Sequence, residues 1–181
     1  MGVMALKKEY ATQDCALART LELVGERWTM LVVRDTFYGV RRYSDFLAHL
    51  DIPRAVLSTR LRTLTEAGIL DKRRYAESPP RDEYVLTDKG EALWPALHAL
   101  LTWGNLHATD YRTRHREFVH ALCGSPLTTA GGCETCGRSA MPPAEIDVHP
   151  GPGARDHERS DPVSRALLRP HRLLEPLDTT A

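Results

Sequence analysis

All twelve aromatic residues of this 181-residue chain lie before position 119, whereas seven of its twelve prolines lie between Pro142 and Pro176. Because aromatic side chains supply large buried areas, the main hydrophobic core is predicted to be N-terminal. The segment 154–181 is charged and free of aromatics, a composition that favours a mobile tail. No run of 18 apolar residues and no secretory leader pattern occurs, so a cytoplasmic protein without a membrane span is expected.

The first hundred residues predict several helices and one hairpin. Apolar residues recur at helical spacing over 15–24, 26–38, 45–50 and 53–67, and the last two helices are separated only by a tight turn. Strand-like runs over 69–75 and 83–86 then flank a turn that contains prolines. These elements predict a mainly α fold with a small β-hairpin wing (α+β), that is, a winged helix-turn-helix over residues 15–112.

The chain carries no net charge, yet its cations are concentrated in one sector. Between positions 41 and 81 there are nine Lys or Arg residues against five acids. The helix over 53–67 buries a leucine stripe and presents a small, polar and partly basic face, which suits close approach to a DNA groove. Predicted DNA contacts are the cationic and hydroxyl side chains of this helix, its N-terminal neighbour and the wing: Arg42, Ser44, Arg54, Ser58, Thr59, Arg62, Arg73, Arg74 and Arg81.

A long helix is predicted over 89–109, with Thr87 or Asp88 as its cap and a bend near Pro95. It has apolar residues on two faces, so one face can meet the domain while the other requires a partner. A twofold dimer through the N-terminal and long C-terminal helices satisfies that requirement. The predicted interface consists of apolar residues from these two helices: Leu17, Leu21, Leu93, Leu97, Leu101 and Trp103.

Several stretches together resemble the HxlR family of MarR-like winged-helix regulators. They are CALARTLELVGERW from Cys15, RRYSDF from Arg41, VLSTRLRTLTEAGIL from Val56 and PPRDEYVLTDKGEAL from Pro79. The resemblance implies a homodimer that binds an inverted repeat in duplex DNA, with residues 53–67 as the recognition helix. It also implies repression or activation in response to a small molecule or an oxidant. The alternative is a protein-interaction module that keeps the scaffold without reading DNA.

Cys15 has two interpretations. Some relatives carry a redox-sensing thiol at this position of the first helix, and a helix N-terminus stabilises a thiolate. Alternatively, Cys15 is a small buried apolar residue beside the dimer interface.

A second group of residues predicts a metal site in a small extension over 118–153. His120, Cys123, Cys133 and Cys136 form a His-x2-Cys-x9-Cys-x2-Cys pattern, and three thiolates with one imidazole can complete a tetrahedral structural Zn²⁺ site. A disulfide or reduced thiols are the alternatives. No phosphate-binding loop, nucleophile elbow or paired carboxylates occur in the sequence, so the chain is not expected to be an enzyme.

Overall fold

Four helices open the fold in a computed structural model, which describes residues 10, 13–110, 116–154 and 159–180. They are α1 (Ala16–Val24), α2 (Thr29–Phe37), α3 (Tyr43–Leu50) and α4 (Arg54–Glu66). The leucine stripe predicted for the fourth helix is buried, and it packs with Phe37 and Phe46 in the core. The helical spacing of the apolar residues therefore determines which face of α4 is left for solvent.

The start of α3 differs from the prediction. The predicted helix begins at residue 45, but α3 begins at Tyr43 and the capping position belongs to Arg42, whose side chain makes no capping bond. Ser44 lies inside the first turn, where its hydroxyl donates to Asp45 Oδ1 at 3.2 Å. At the other end Asp51 adopts a left-handed conformation (φ 51°), which allows the tight turn into α4.

A two-stranded antiparallel wing follows, made of β1 (Leu70–Glu77) and β2 (Pro80–Leu86). The strands are longer than predicted, because pairing runs from Leu70 opposite Leu86 out to Glu77 opposite Pro80. The turn is thereby reduced to two residues, and the wing arginines lie on paired strands.

The predicted long helix is divided into α5 (Asp88–Glu91) and α6 (Trp94–His107). Thr87 caps α5, since its hydroxyl oxygen accepts from the backbone N–H of Gly90 at 3.2 Å. Pro95 has no N–H to donate to the carbonyl of Glu91, so a continuous helix would lose a bond here. None of the helices within the described ranges is long and apolar enough to cross a membrane.

The C-terminal part forms a second small sheet of β3 (Arg116–His120), β4 (Ile146–Pro150) and β5 (His171–Arg172), together with helix α7 (Pro162–Ala166). The sheet is antiparallel, and β4 lies in its centre.

Residues 159–180, which we expected to be part of a mobile tail, are folded against the rest of the chain. Val163, Leu167 and Leu173 are buried in the common core. The backbone N–H of Leu174 donates to Phe37 O at 2.8 Å, and that of Leu177 donates to Gly39 O at 3.0 Å. Aliphatic side chains and backbone hydrogen bonds thus order this segment without any aromatic residue.

Candidate nucleic-acid interface and metal centre

The outer face of α4 carries the side chains that sequence analysis selected for DNA contact. Arg54, Ser58 and Arg62 are exposed and Thr59 is half-buried. The hydroxyl of Tyr43, in the first turn of α3, donates to the carbonyl oxygen of Arg54 at 3.0 Å and lies 3.2 Å from Ser58 Oγ. The two helices of the helix-turn-helix are therefore fastened together where the exposed face of α4 begins.

Most of the wing cations are paired with acids of the wing itself. Arg73 Nε lies 2.9 Å from Asp71 Oδ2, and Arg74 Nε lies 3.3 Å from Asp82 Oδ1. The range 41–81, in which nine cations and five acids occur, ends one residue before Asp82. The count therefore overstates the positive charge that the wing presents. Exposed pairs of this kind are weak and can exchange an acid for a phosphate.

Three of the arginines predicted to contact DNA differ from the other arginines of that set. Within the described ranges, no carboxylate lies within salt-bridge distance of them. They are Arg42, Arg54 and Arg81, and all three are exposed. The guanidinium of Arg42 stacks 5.1 Å from the ring centroid of Tyr75 on β1, so the N-terminus of α3 and the wing share one cationic edge. Ser44 is exposed on the same turn of α3.

Sequence reasoning missed a buried charged cluster that joins α2 to α3. Asp35 is fully buried, its Oδ1 accepts from Arg34 at 2.9 and 2.6 Å, and its Oδ2 lies 2.7 Å from His49 Nδ1. Burial alone would raise the pKa of Asp35, but attraction to Arg34 and the hydrogen bonds from His49 and Arg34 outweigh it and lower that pKa. An acid within the apolar run of α2 is a signal that the sequence does offer. The sequence gives no sign that its partner is His49, 14 residues away.

The four predicted metal ligands lie together. The potential ligand atoms of His120, Cys123, Cys133 and Cys136 are all within 4.8 Å of one another. Cys123 Sγ and Cys136 Sγ each lie 3.3 Å from His120 Nδ1, and Cys123 Sγ lies 3.5 Å from Cys133 Sγ. Zinc–sulfur bonds of about 2.3 Å in a tetrahedron place two sulfurs about 3.8 Å apart. The cluster is therefore close to the dimensions of a metal-binding tetrahedron.

Two tight turns present these ligands. His120 ends β3, and the backbone N–H of Gly124 donates back to His120 O at 2.8 Å, which brings Cys123 beside the imidazole. Cys133 and Arg138 exchange backbone hydrogen bonds of 2.8 and 3.0 Å and enclose Cys136 in the turn. Gly124 and Gly137 adopt positive φ angles of 69° and 65°, a conformation that costs glycine little.

The thiols of the cluster differ in acidity. Hydrogen bonds from the Ser125 side chain and backbone are the main cause that lowers the pKa of Cys123 to about 6. The hydrogen bond between Cys136 and Cys123 is the main cause that raises the pKa of Cys136 to about 11. All four cysteines of the chain are free thiols in this structure.

A charged pair lies behind the imidazole of His120. Its Nε2, the nitrogen that faces away from the cysteines, lies 3.7 Å from Glu145 Oε2, and Glu145 is itself paired with Arg138. This distance is longer than a hydrogen bond, but a carboxylate on this side of the ring favours the tautomer protonated on Nε2, which leaves Nδ1 free to bind a metal. The sequence pattern named the four ligands but gave no signal for Glu145.

Cys15 lies apart from this cluster, immediately before α1, and it is exposed in the protomer. Exposure in a single protomer does not test burial of Cys15 beside a dimer interface, and its role as a redox sensor likewise stays a prediction.

The predicted dimer residues fall into two groups. Leu97 is only 4% exposed and belongs to the core of the protomer, and Leu93 and Leu101 pack against that core. Leu97 is therefore excluded from an interface, because this stripe of α6 faces the core of the protomer. On α1 and on the opposite face of α6, the large apolar side chains that remain exposed are Leu17, Leu21, Leu23, Leu100, Trp103 and Leu106.

Comparisons with known proteins agree with this architecture. The family model of the HxlR-like helix-turn-helix matches residues 23–112. An uncharacterized HTH-type transcriptional regulator of Mycobacterium tuberculosis is 38% identical over 138 residues, which cover 76% of this chain and 87% of that protein. The crystal structure of PA1607, a candidate transcription factor, is 37% identical, with a TM-score of 0.60 over 66% of this chain and 84% of that one. The redox regulator HypR in its reduced form is 27% identical, with a TM-score of 0.50 over 52% of this chain and 94% of that one.

Proposed function

Since this chain belongs to the HxlR-like helix-turn-helix family of transcriptional regulators, we propose that it binds an inverted-repeat operator as a homodimer, with α4 in the major groove. One observation carries the proposal: the exposed face of α4 begins at Arg54, which has no acidic partner within the described ranges, and it adjoins the cationic edge of Arg42 and the wing. Phosphates would occupy that edge while α4 meets base edges. This role requires access to the chromosome, so we propose a cytoplasmic location and no catalytic activity.

The apolar stripe of α6 supports the dimer. Leu100, Trp103 and Leu106 recur at helical spacing and are each more than half exposed, and exposed Leu17 and Leu21 lie on α1. A second copy related by a twofold axis would cover the same patch on both chains. Two α4 helices would then face successive major grooves, which suits an inverted repeat.

Selection of bound sequences from a random duplex library tests the DNA-binding proposal. We expect the full chain to enrich an inverted repeat, and affinity for it to fall steeply as salt increases. Arg54→Ala should weaken binding and reduce the slope of log affinity against log salt by about 1 if Arg54 contacts phosphate. Arg19→Ala is the matched control, because Arg19 is exposed on α1 and paired with Glu22.

Failure to enrich any sequence would contradict the proposal. Binding to another protein that does not depend on salt would instead favour the interaction module. Neither outcome would be expected of a chain that reads DNA through cations.

We further propose that His120, Cys123, Cys133 and Cys136 hold a structural Zn²⁺. The compact tetrahedral grouping, three sulfur donors with one nitrogen, and the carboxylate behind His120 all support zinc. When bound, zinc would tie the turn after β3 to the turn at Cys133–Cys136, two segments joined by the nine residues between Cys123 and Cys133.

Elemental analysis of protein purified without chelator tests this site. We expect one zinc per chain in the wild type and in Cys15→Ser, and a large loss of zinc in Cys136→Ser. Well under one zinc per wild-type chain would contradict the proposal. A mass lower by two hydrogens with no metal would identify a disulfide instead.

A response to oxidants through Cys15 is the last part of the proposed function. Its exposure permits access by an oxidant, and a redox regulator is among the structural neighbours. We expect diamide to change operator binding by the wild type and to have a smaller effect on Cys15→Ser. An equal response of both proteins would contradict a sensor at Cys15.

A further inference from the structure

The hydroxyl of Tyr43 determines the direction of a hydrogen bond on the recognition helix. It lies 3.0 Å from the carbonyl oxygen of Arg54 and 3.2 Å from Ser58 Oγ. A tyrosine hydroxyl has a single hydrogen, and a carbonyl oxygen can only accept. The hydrogen of Tyr43 is therefore given to Arg54, and the bond between Tyr43 and Ser58 must take its hydrogen from Ser58.

Ser58 consequently has no hydrogen left to donate to a molecule bound at the outer face of α4. A serine hydroxyl also has one hydrogen, and in this arrangement it points at Tyr43. Ser58 is exposed on the outer face of α4, so its oxygen presents only lone pairs to a molecule on that face. The next hydroxyl, Thr59, is similar, because it donates to Ala55 O at 2.9 Å within the helix. The donors of this face are thus the arginines, while Ser58 is an acceptor.

An acceptor can be satisfied by only a few groups of duplex DNA. Phosphate oxygens, guanine O6 and N7, adenine N7 and thymine O4 are all acceptors themselves. The donors in the major groove are the exocyclic amino groups of adenine and cytosine. Building on the proposed insertion of α4 into that groove, we infer that Ser58 accepts from an adenine or cytosine amino group and that Tyr43 is the positioning residue that enforces this choice over guanine and thymine.

The exposure of each of the two residues suits the role inferred for it. Tyr43 is half-buried with its ring packed against the core, so its hydroxyl is held at a fixed position beside α4. Ser58 is exposed and is short enough to keep the helix close to base edges. A phenylalanine in place of Tyr43 would keep the packing and release the hydrogen of Ser58, which could then turn outward and donate.

Base preference along the selected half-site tests the inference. The probe is the sequence that the wild type enriches from random duplex DNA, synthesised with each of the four base pairs at each position. We expect one position to favour adenine or cytosine over guanine or thymine by about fivefold, the effect of a single hydrogen bond. Ser58→Ala should abolish that preference at the same position, and Tyr43→Phe should reduce it while the other positions keep theirs.

The control is Tyr84→Phe, which removes a tyrosine hydroxyl from the wing without touching α4. It should keep the wild-type preference at every position. A purely structural role for Tyr43 would lower affinity equally for all four bases, so an unchanged preference in Tyr43→Phe overturns the inference. A position that is insensitive to Ser58→Ala also overturns it. Failure of the wild type to select any sequence would refute DNA binding itself, which is a separate result.

Discussion

Replacing Asp35 by asparagine tests whether the buried charged cluster holds α2 and α3 together. The wild-type carboxylate is fully buried and accepts two hydrogen bonds from Arg34 and one from His49. Asparagine preserves the volume but removes the charge and puts an amide NH₂ group opposite one of the two partners. Breaking a buried pair of this kind costs about 3 to 5 kcal/mol.

The lower end of that range applies here, because the Arg34 side chain is still 22% exposed and water can partly solvate it. We expect the free energy of unfolding to fall by about 3 kcal/mol. For a chain of this size the midpoint of thermal unfolding should fall by about 6 to 12 °C. Urea denaturation followed by circular dichroism gives the first quantity, and a thermal scan gives the second.

Asp71→Asn is the matched control, since Asp71 lies in an exposed pair with Arg73 at 2.9 Å. Exposed pairs contribute about 0 to 1 kcal/mol, so this variant should unfold almost as the wild type does. The reasoning is refuted if Asp35→Asn loses less than about 1 kcal/mol, the range of an exposed pair.

The difference in stability between the wild type and Asp35→Asn should also depend on pH. Because the pKa of Asp35 in the folded state lies below that of an unfolded chain, near 3.9, its carboxylate stabilises the fold at all pH values above about 4. As pH falls through the lower, folded pKa, the carboxylate becomes protonated and the stabilisation is lost. The difference in unfolding free energy between wild type and Asp35→Asn should therefore be constant near neutrality and shrink below pH 4 or so.

Three further variants test other parts of the molecule. Glu145→Gln should weaken zinc binding about 10- to 100-fold in competition with a chelator, because His120 loses the carboxylate behind it, and unchanged affinity would contradict that role. Trp103→Glu places a charge on the exposed stripe of α6 and should convert the dimer into a monomer by light scattering, whereas an intact dimer would exclude this face as the interface. Leu173→Ala should destabilise the fold by about 2 to 5 kcal/mol in urea, while Leu168→Ala, at an exposed leucine, should have little effect; equal small effects would mean that the C-terminal segment contributes no core.

The parts of the fold that were predictable from sequence are those set by local patterns. The leucine spacing of α4 identifies its buried face, and hence the exposed face with Arg54 and Ser58, because the helix period alone relates them. The wing is likewise local, since its strands are neighbours in sequence. The grouping of Cys133 with Cys136 follows from one turn, whereas the approach of His120 depends on the chain returning along β3, where the backbone N–H of Leu127 donates to Phe118 O.

The parts that were missed depend on contacts distant in sequence. The order of residues 159–180 depends on Leu174 and Leu177 bonding to the end of α2, more than 130 positions earlier, and composition alone does not record such a partner. The assignment of Leu97 to a dimer interface failed because its stripe of α6 faces the protomer core, and the apolar face that remains exposed is the other one. Only the three-dimensional arrangement distinguishes the two stripes.

The return of the C-terminal segment to α2 also affects how the chain is made. Translation delivers the winged-helix residues first, yet the carbonyls of Phe37 and Gly39 receive their partners only from Leu174 and Leu177. On the ribosome, the end of α2 therefore stays without these bonds while more than 130 further residues are synthesised. The regulator can complete its fold only after residue 177 has left the exit tunnel, so nascent chains that stall earlier should be more open to proteases and chaperones at this end of α2.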